Sequence, residues 1–438
     1  MFKNWKIYLT YIIPTIIVMC VNCTYNVIDQ MFVGNIIGPL GLTALQTVGP
    51  LLLFLSTAFA AVFNSGSAVK VSQCIGMNNI NDANNYFGNM IWCHIFWCLI
   101  TSVIAFIFLN TFLSFFNISN EALIYAKEYG SIMIFGSIFS ALGPSLAFIL
   151  KNYGHPIISM ILISTSLILN IILDTILIPK IGMRGAAIGT IGSQFLLVLL
   201  DIIILKLTII KKWNIKTNNL LPNFNFIKEI IKRGIPGLGD PISVFGTMLL
   251  HNIAITYYFS DKFLPIYNCL FGMEAIGMAI VSGIILGIQP LLSKSYGNKN
   301  KQELNNILKF SLIFVSFFGI LSTILFLNFN SFIPTLFGLK DELLKEASTA
   351  ILISCSTFIF FGIVKIFYIY YQSICKTLYS AMIAFGDIFI ILPMCLFTLP
   401  NMFGINGIWM ALPISKLIVL IFIFQGILVQ KHYFLKNK

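Results

Sequence analysis

The chain has 438 residues, of which 58% are hydrophobic and only 10% charged, and its mean hydropathy is +0.93. So much apolar surface excludes a water-soluble globular protein, and the solid apolar runs exclude a transmembrane β-barrel, whose strands alternate with period two. The net charge of +12 does not mark a nucleic-acid binder, because the basic residues fall between the apolar runs, where they set membrane orientation.

A spanning helix takes about 20 apolar residues. Twelve segments qualify: 7–34, 47–70, 87–115, 126–151, 156–179, 185–209, 228–259, 264–292, 306–333, 346–372, 377–400 and 405–430. The fold class is therefore an all-α polytopic membrane protein. The first segment carries "LTYIIPTIIVMCV", too long and too continuous with the rest of the chain for a cleaved signal. Its Cys20 and Cys23 form a C-x-x-C, read as two small buried side chains; the nine cysteines form no cluster with histidine. Turn-rich pieces such as "GNIIGPLG", "FNISNEA", "KNYGHP" and "GNKNKQE" separate the spans. The longest polar connection, "KKWNIKTNNLLPNF", comes after the sixth span and divides the chain into an N-lobe (1–210), a linker (211–227) and a C-lobe (228–438). An even number of spans puts both termini on one side. Most Lys and Arg then lie on that side, which is expected to be cytoplasmic. Arg occurs only at 184 and 233, and the many Lys, Asn and Ile point to an AT-rich bacterial genome.

The two halves repeat. "SQCIGMNNINDANN" (72–85) aligns with "SKSYGNKNKQELNN" (293–306), an offset of 293 − 72 = 221, and "GMRGAAIGTIGS" (182–193) with "GINGIWMALPIS" (404–415), an offset of 404 − 182 = 222. Pro14 aligns with Pro236 at the same offset. A nearly constant offset along the whole chain is the mark of duplication. Six spans per unit make a parallel repeat, which predicts a path for substrate between two similar lobes.

Ionisable residues within apolar spans are costly and point to function. Here they are Asp29, Asp174, Asp201, Asp240, Glu274 and Asp387. Asn22, Asn26 and Asp29 share one face of the first helix, and Ser166, Asn170 and Asp174 one face of the fifth. Thr190 opens the sixth and joins them. Carboxylates, an amide oxygen and a hydroxyl suit a hard cation. Two carboxylates in a low dielectric cannot both ionise cheaply, so Na+ and H+ compete for one site. The competing reading is polar glue between helices. Asp201 reads as an interfacial residue near a helix end. Lys365 reads as the only basic residue well inside a span, neutralised by Glu274, Asp240 or Asp387, either as a structural pair or as a place where cationic substrate competes for the acid. His251 is either a cavity residue or a packed histidine. Tyr257, Tyr258, Tyr368, Tyr370 and Tyr371 read as an interfacial belt. "GSAVKVSQ" lacks the G-K-[ST] of a phosphate loop, so no ATPase segment is expected.

"YNVIDQMFVGNIIGPLGLTAL", "NIILDTILIPKIGMRGAAIGTIGSQ", "SYGNKNKQE" and "GINGIWMALPIS" together resemble the signature stretches of the multidrug and toxic compound extrusion (MATE) transporters, and the resemblance covers the whole chain. It implies twelve transmembrane helices in two pseudo-symmetric six-helix lobes, and cation-coupled efflux of organic, cationic amphipathic compounds by alternating access. The family's N-lobe cation site maps onto Asp29, Asn170, Asp174 and Thr190, with the Ala186 carbonyl as a further ligand, and Na+ there would be held by Asp29, Asn170 and Asp174. Pro14 stands at the family's helix-one proline, a conformational element. Substrate-cavity candidates are Asn26, Asp240, Glu274, Lys365, Asp387 and His251. The family's acidic pair on helices seven and ten is not matched, since helix ten has Lys365 and no acid. The repeat partners of Asn170 and Asp174 are Leu392 and Leu396, which argues against a mirrored site.

The expected protein is thus not an enzyme. It needs no cofactor beyond a coupling ion, Na+ or H+. Its partners are a small-molecule substrate and the lipid bilayer, not nucleic acid, and it works as a monomer in the inner (plasma) membrane of a bacterium. The alternative is a lipid-linked saccharide flippase of the related two-lobe superfamily, which would want a basic cavity for pyrophosphate. A passive channel would show a filter motif, and none is visible.

Overall fold

The computed structural model describes residues 4–52, 58–114, 119–210 and 215–436, with side chains omitted at 26, 27, 209, 210, 261 and 427–436. These residues fold into helices α1 (Trp5–Ile36), α2 (Pro39–Leu52), α3 (Phe59–Gly76), α4 (Ile80–Ser114), α5 (Asn120–Asn152), α6 (Pro156–Ile181), α7 (Met183–Leu205), α8 (Phe224–Gly234), α9 (Gly239–Tyr258), α10 (Leu264–Gly297), α11 (Lys301–Asn328), α12 (Phe332–Leu336), α13 (Asp341–Ser354), α14 (Thr357–Ser373), α15 (Thr377–Gly386), α16 (Leu392–Phe403) and α17 (Ile405–Lys436). No strand occurs among the described residues. Among the described residues, ten helical segments are long and apolar enough to cross a membrane.

The other two expected spans are 47–70 and 228–259. The segment 47–70 falls across α2 and α3, and residues 53–57 lie outside the described residues. The segment 228–259 is not one helix. α8 ends at Gly234, a 3-10 turn runs Ile235–Leu238, and α9 starts at Gly239. The cause is local: Pro236 has no N–H to donate, and Gly234, Gly237 and Gly239 lower helix propensity around it. The chain is thus a twelve-span helical membrane protein in two six-helix lobes.

Two compact units are present. One comprises Lys6–Leu238 with Ser293–Lys301, the other Gly239–Leu292 with Gln302–Lys438. In the first, α5 lies among α2, α4, α6 and α7. One core, around Phe63, Tyr86, Leu146, Ile149 and Leu205, reaches Ile230 of α8. A second, around Val33, Val48, Ile134 and Ile178, includes Ala186 and Ala187 and floors the candidate site. The polar connection is fastened to α4 by asparagines. Asn219 Nδ2 donates to Asn81 Oδ1 (2.9 Å) and Asn85 Oδ1 (2.8 Å), and Asn89 Oδ1 accepts from Asn223 N (2.7 Å). In the second unit, the core of Ile255, Leu270, Ile351, Phe358, Leu392, Leu396, Ile408 and Trp409 joins α9, α10, α13, α14, α16 and α17.

The duplication is visible in backbone geometry. Asn78 and Lys299, 221 apart, take φ 57° and 56°. Gly182 and Gly404, 222 apart, take φ/ψ of 60°/−137° and 60°/−143° at the ends of α6 and α16. Gly76 and Gly297 pack reciprocally. A methyl group on Gly76 would overlap the Lys294 carbonyl, and one on Gly297 the Gln73 carbonyl.

Candidate cation site

α6 presents Asn170 and Asp174 one turn apart, and both are 1% exposed. α7 begins directly after the sharp Gly182 turn and packs closely along α6. This brings Gly189 and Thr190 level with Asp174 and Asn170. The Asn170 amide is satisfied with its nitrogen donating to Asp174 Oδ2 (3.0 Å) and its oxygen accepting from Thr190 N (3.1 Å). Gly189 leaves the room that Asp174 fills, because a Cβ there would overlap Asp174 Oδ1. Ser166, the third member of the α6 stripe, turns away from the acids and donates to the Ser193 carbonyl (3.1 Å).

α1 supplies the second acid. The Asp29 and Asp174 carboxyl groups lie within hydrogen-bonding reach of each other. Asp29 Oδ1 is buried and has no partner. Oxygen to oxygen, two carboxyl groups attract only through a shared proton or a shared cation. Two tyrosines close the site. The Tyr25 side chain, one turn before Asp29 on α1, hydrogen-bonds the Thr190 side chain. Tyr129 of α5 is buried within electrostatic reach of both acids. Among the described residues, no salt bridge from Lys or Arg reaches Asp29 or Asp174. Arg184, the nearest arginine in sequence, bridges Glu128 instead (2.9 Å). The geometry therefore gathers Asp29, Asn170, Asp174 and Thr190, with buried Ala186 on the adjoining turn of α7. Tyr25 and Tyr129 are additions that sequence reasoning missed. The spacing of Tyr25 and Asp29, four residues on one helix face, was the available signal for the first. Pro14 lies inside an unbroken α1, where its missing N–H leaves the Thr10 carbonyl without a helical donor. The Asn26 side chain lies outside the described residues.

Asp201 differs from its sequence reading. It is not interfacial but 0% exposed, with neither carboxyl oxygen partnered. It shares a face of α7 with Leu197, Val198 and Leu205, which belong to the first unit's core, so burial arises from helical register rather than from nearness to the helix end.

The second unit holds a different charge pattern. Lys365 of α14 pairs with Asp240 at the start of α9. A second basic residue inside a span, Lys416 of α17, pairs with Asp387, and both are buried. Lys365 is therefore not the only intramembrane base. Asp387 opens a π-helical turn, Asp387–Ile391, closed by the Leu392 N–H donating to the Asp387 carbonyl, and its Oδ1 has no partner. Buried Glu274 of α10 is in electrostatic reach of Lys416. His251 is packed, stacked on Tyr267 with ring centroids 4.7 Å apart, and its Nδ1 lies 2.8 Å from the Thr247 carbonyl oxygen. Tyr368 and Tyr371 are buried rather than interfacial, whereas Tyr257 is exposed.

At the positions 222 residues after Asp29, Asn170, Asp174, Ala186 and Thr190 stand His251, Leu392, Leu396, Ile408 and Leu412. The last four are buried in the second unit's core. The counterparts of Asn170, Asp174, Ala186 and Thr190 are thus apolar, and that of Asp29 is a histidine.

Comparisons with known proteins agree with this architecture. The MatE family profile matches residues 14–176 and 241–397. The multidrug export protein MepA of Staphylococcus haemolyticus (strain JCSC1435) is 24% identical over 422 residues, covering 94% of this chain and 90% of that protein. MepA of Staphylococcus aureus (strain MRSA252) is 24% identical over 415 residues, covering 94% and 91%. Among solved structures, a MATE in the bent conformation superposes with a TM-score of 0.89 at 18% identity, covering 99% of this chain and 97% of the other. A MOP superfamily transporter from Pyrococcus furiosus gives 0.87 at 18%, covering 95% and 93%. With both halves matched by the family profile and relatives aligned along nearly its full length, this chain belongs to the MATE family of multidrug-efflux transporters.

Proposed function

We propose that this protein is a secondary active exporter of organic, cationic amphipathic compounds, driven by inward movement of Na+ or H+ through the Asp29–Asp174 site. The observation that carries the reading is the pairing itself. Two carboxyl groups lie within hydrogen-bonding reach, one oxygen is buried without a partner, and among the described residues no Lys or Arg forms a salt bridge with either. Such a pair stores negative charge that a proton or a small cation neutralises. Asn170, Thr190 and Tyr25 add neutral oxygen atoms beside it, the chemistry hard cations take. For the ion to drive export it must bind one conformational state better than the other. One charge entering through 100 mV releases about 2.3 kcal/mol, which the export of one monocation consumes again, so in a one-for-one exchange the ion's concentration gradient supplies the net drive.

The same reading takes the protein to be a monomer in the bacterial plasma membrane with both termini cytoplasmic, and the positive-inside distribution of its loops supports that orientation. It needs no cofactor. A flippase for lipid pyrophosphates would want uncommitted basic groups, and Lys365 and Lys416 are each committed to an aspartate.

The test is transport into proteoliposomes under imposed Na+ or H+ gradients, read with a fluorescent cationic dye. Asp29→Asn and Asp174→Asn are expected to lose gradient-driven dye movement while keeping the fold. Equal uptake by wild type and both variants removes the cation-site reading. Translocation of a pyrophosphate lipid with no dye movement would replace export by the flippase.

A further inference from the structure

The Lys365 ammonium sits in a specific setting. Its Nζ pairs with the Asp240 carboxylate and lies 5.5 Å from the centroid of the Phe361 ring and 5.2 Å from that of Tyr368. A carboxylate with two ring faces within about 6 Å of one cation is how proteins hold ammonium ligands. The two partners differ in access. The Asp240 side chain is 51% exposed, whereas that of Lys365 is 15% exposed. The acid therefore faces open space, and the lysine reaches it from the protein side. Phe361 and Tyr368 are themselves buried and meet the lysine rather than solvent, so a ligand ammonium would take the place of the Lys365 ammonium and not a place beside it. A lysine suits that role, because its charge is a compact point on a flexible four-carbon stem that can swing away. At the repeat position 365 − 221 = 144 the other half has a proline, so the cage is particular to the C-terminal unit.

We propose that Asp240, Phe361 and Tyr368 form an ammonium-binding subsite that Lys365 fills from within, a tethered competitor that a substrate carrying an alkylammonium group displaces. The substrate class rests on the export reading; the cage itself rests on the contacts of Lys365. In this arrangement the acid is never left unpaired. Lys365 covers it when the substrate leaves, and the substrate covers it when Lys365 withdraws, which avoids the cost of an isolated charge at membrane depth. The same exchange sets selectivity. Neutral compounds cannot displace the lysine, because nothing in them replaces its charge.

The test uses the full-length protein in detergent with no ion gradient. The probe is a dansylated alkyltrimethylammonium, and the control is its neutral tert-butyl isostere, both monitored by fluorescence anisotropy. Lys365→Met is expected to tighten binding of the cationic probe about tenfold and leave the neutral one unchanged. Asp240→Asn is expected to weaken the cationic probe by at least as much. Unchanged or weaker binding of the cation by Lys365→Met would show a structural ion pair and overturn the proposal. A second readout needs no variant. Acetylation of wild-type Lys365 by an amine-reactive ester, quantified by mass spectrometry against exposed Lys340, should rise several-fold when the cationic probe saturates the protein. No rise overturns the proposal even if Lys365→Met fails to fold. Both readouts are independent of transport. A protein that passes them without exporting dye refutes export and leaves the cage, and one that exports dye but fails them refutes the cage alone.

Discussion

Gly189→Ala probes the candidate cation site without touching a charged group. On the ideal backbone the new methyl carbon overlaps Asp174 Oδ1 and stands 3.5 Å from the Asp174 backbone nitrogen. Asp174 is almost wholly buried, and its other oxygen is held by the Asn170 amide, so the carboxyl group has little room to retreat and must shift relative to Asp29. Overpacking a close-packed site by one methyl costs about 1–3 kcal/mol. At about 1.4 kcal/mol per factor of ten, a cost that falls on ion binding raises the half-saturating ion concentration by roughly fivefold to somewhat over a hundredfold. The matched control is Gly192→Ala, three residues further along α7, whose added carbon would lie 3.4 Å from Leu173 Cδ1, an ordinary contact. The assay is dye export in proteoliposomes as a function of the driving ion's concentration. Gly189→Ala should shift that curve to higher concentration and Gly192→Ala should leave it near wild type. An unshifted curve for Gly189→Ala, or equal shifts for both, would refute the argument that Asp174 is held in place against α7.

The remaining expectations concern the frame around the sites. Removing Lys416 alone, as Lys416→Met, strands Asp387 and Glu274 in the second unit and should cost several kcal/mol, as loss of one partner of a buried pair does; Lys416→Met with Asp387→Asn should recover part of the lost thermal stability, and strict additivity of the two single changes in thermal melts would show that the pair is not coupled. Asn219→Ala removes two donated hydrogen bonds to α4 and should lower stability by roughly 1–3 kcal/mol, together with faster proteolysis within 211–227; an unchanged cleavage rate would show that the connection is held by other contacts.

Much of the first unit's site was legible because its information is local. Asn170 and Asp174 are one helical turn apart, and Gly182 forces the turn that lays α7 back along α6. What was not legible depends on contacts between helices. Tyr129 joins the site from α5, where "KEYGS" carries no polar stripe to announce it. Lys416 passed unnoticed because a lone lysine in an apolar run looks like an end marker, and its partner Asp387 lies across the hairpin from it. Asp201 was misread for the opposite reason: distance from the helix end says nothing about which face packs on the core. The break between α8 and α9 was written in "GIPGLG", a proline among three glycines, but hydropathy alone runs through it. The repeat was the most dependable signal, since the same offset that aligns letters also aligns backbone angles at Asn78 and Lys299.

The leucine and isoleucine that fill the counterpart of the acidic site have an energetic consequence. A duplicated transporter with two working ion sites could trade two sodium ions for each organic monocation and let the membrane voltage do work on every cycle. On the proposed reading, with one coupling ion (Na+ or H+) entering against one monocation leaving, no net charge is transferred and the voltage contributes nothing. The steepest outward accumulation such an exchanger could sustain would then equal the coupling ion's concentration ratio across the membrane, whatever the electrical potential.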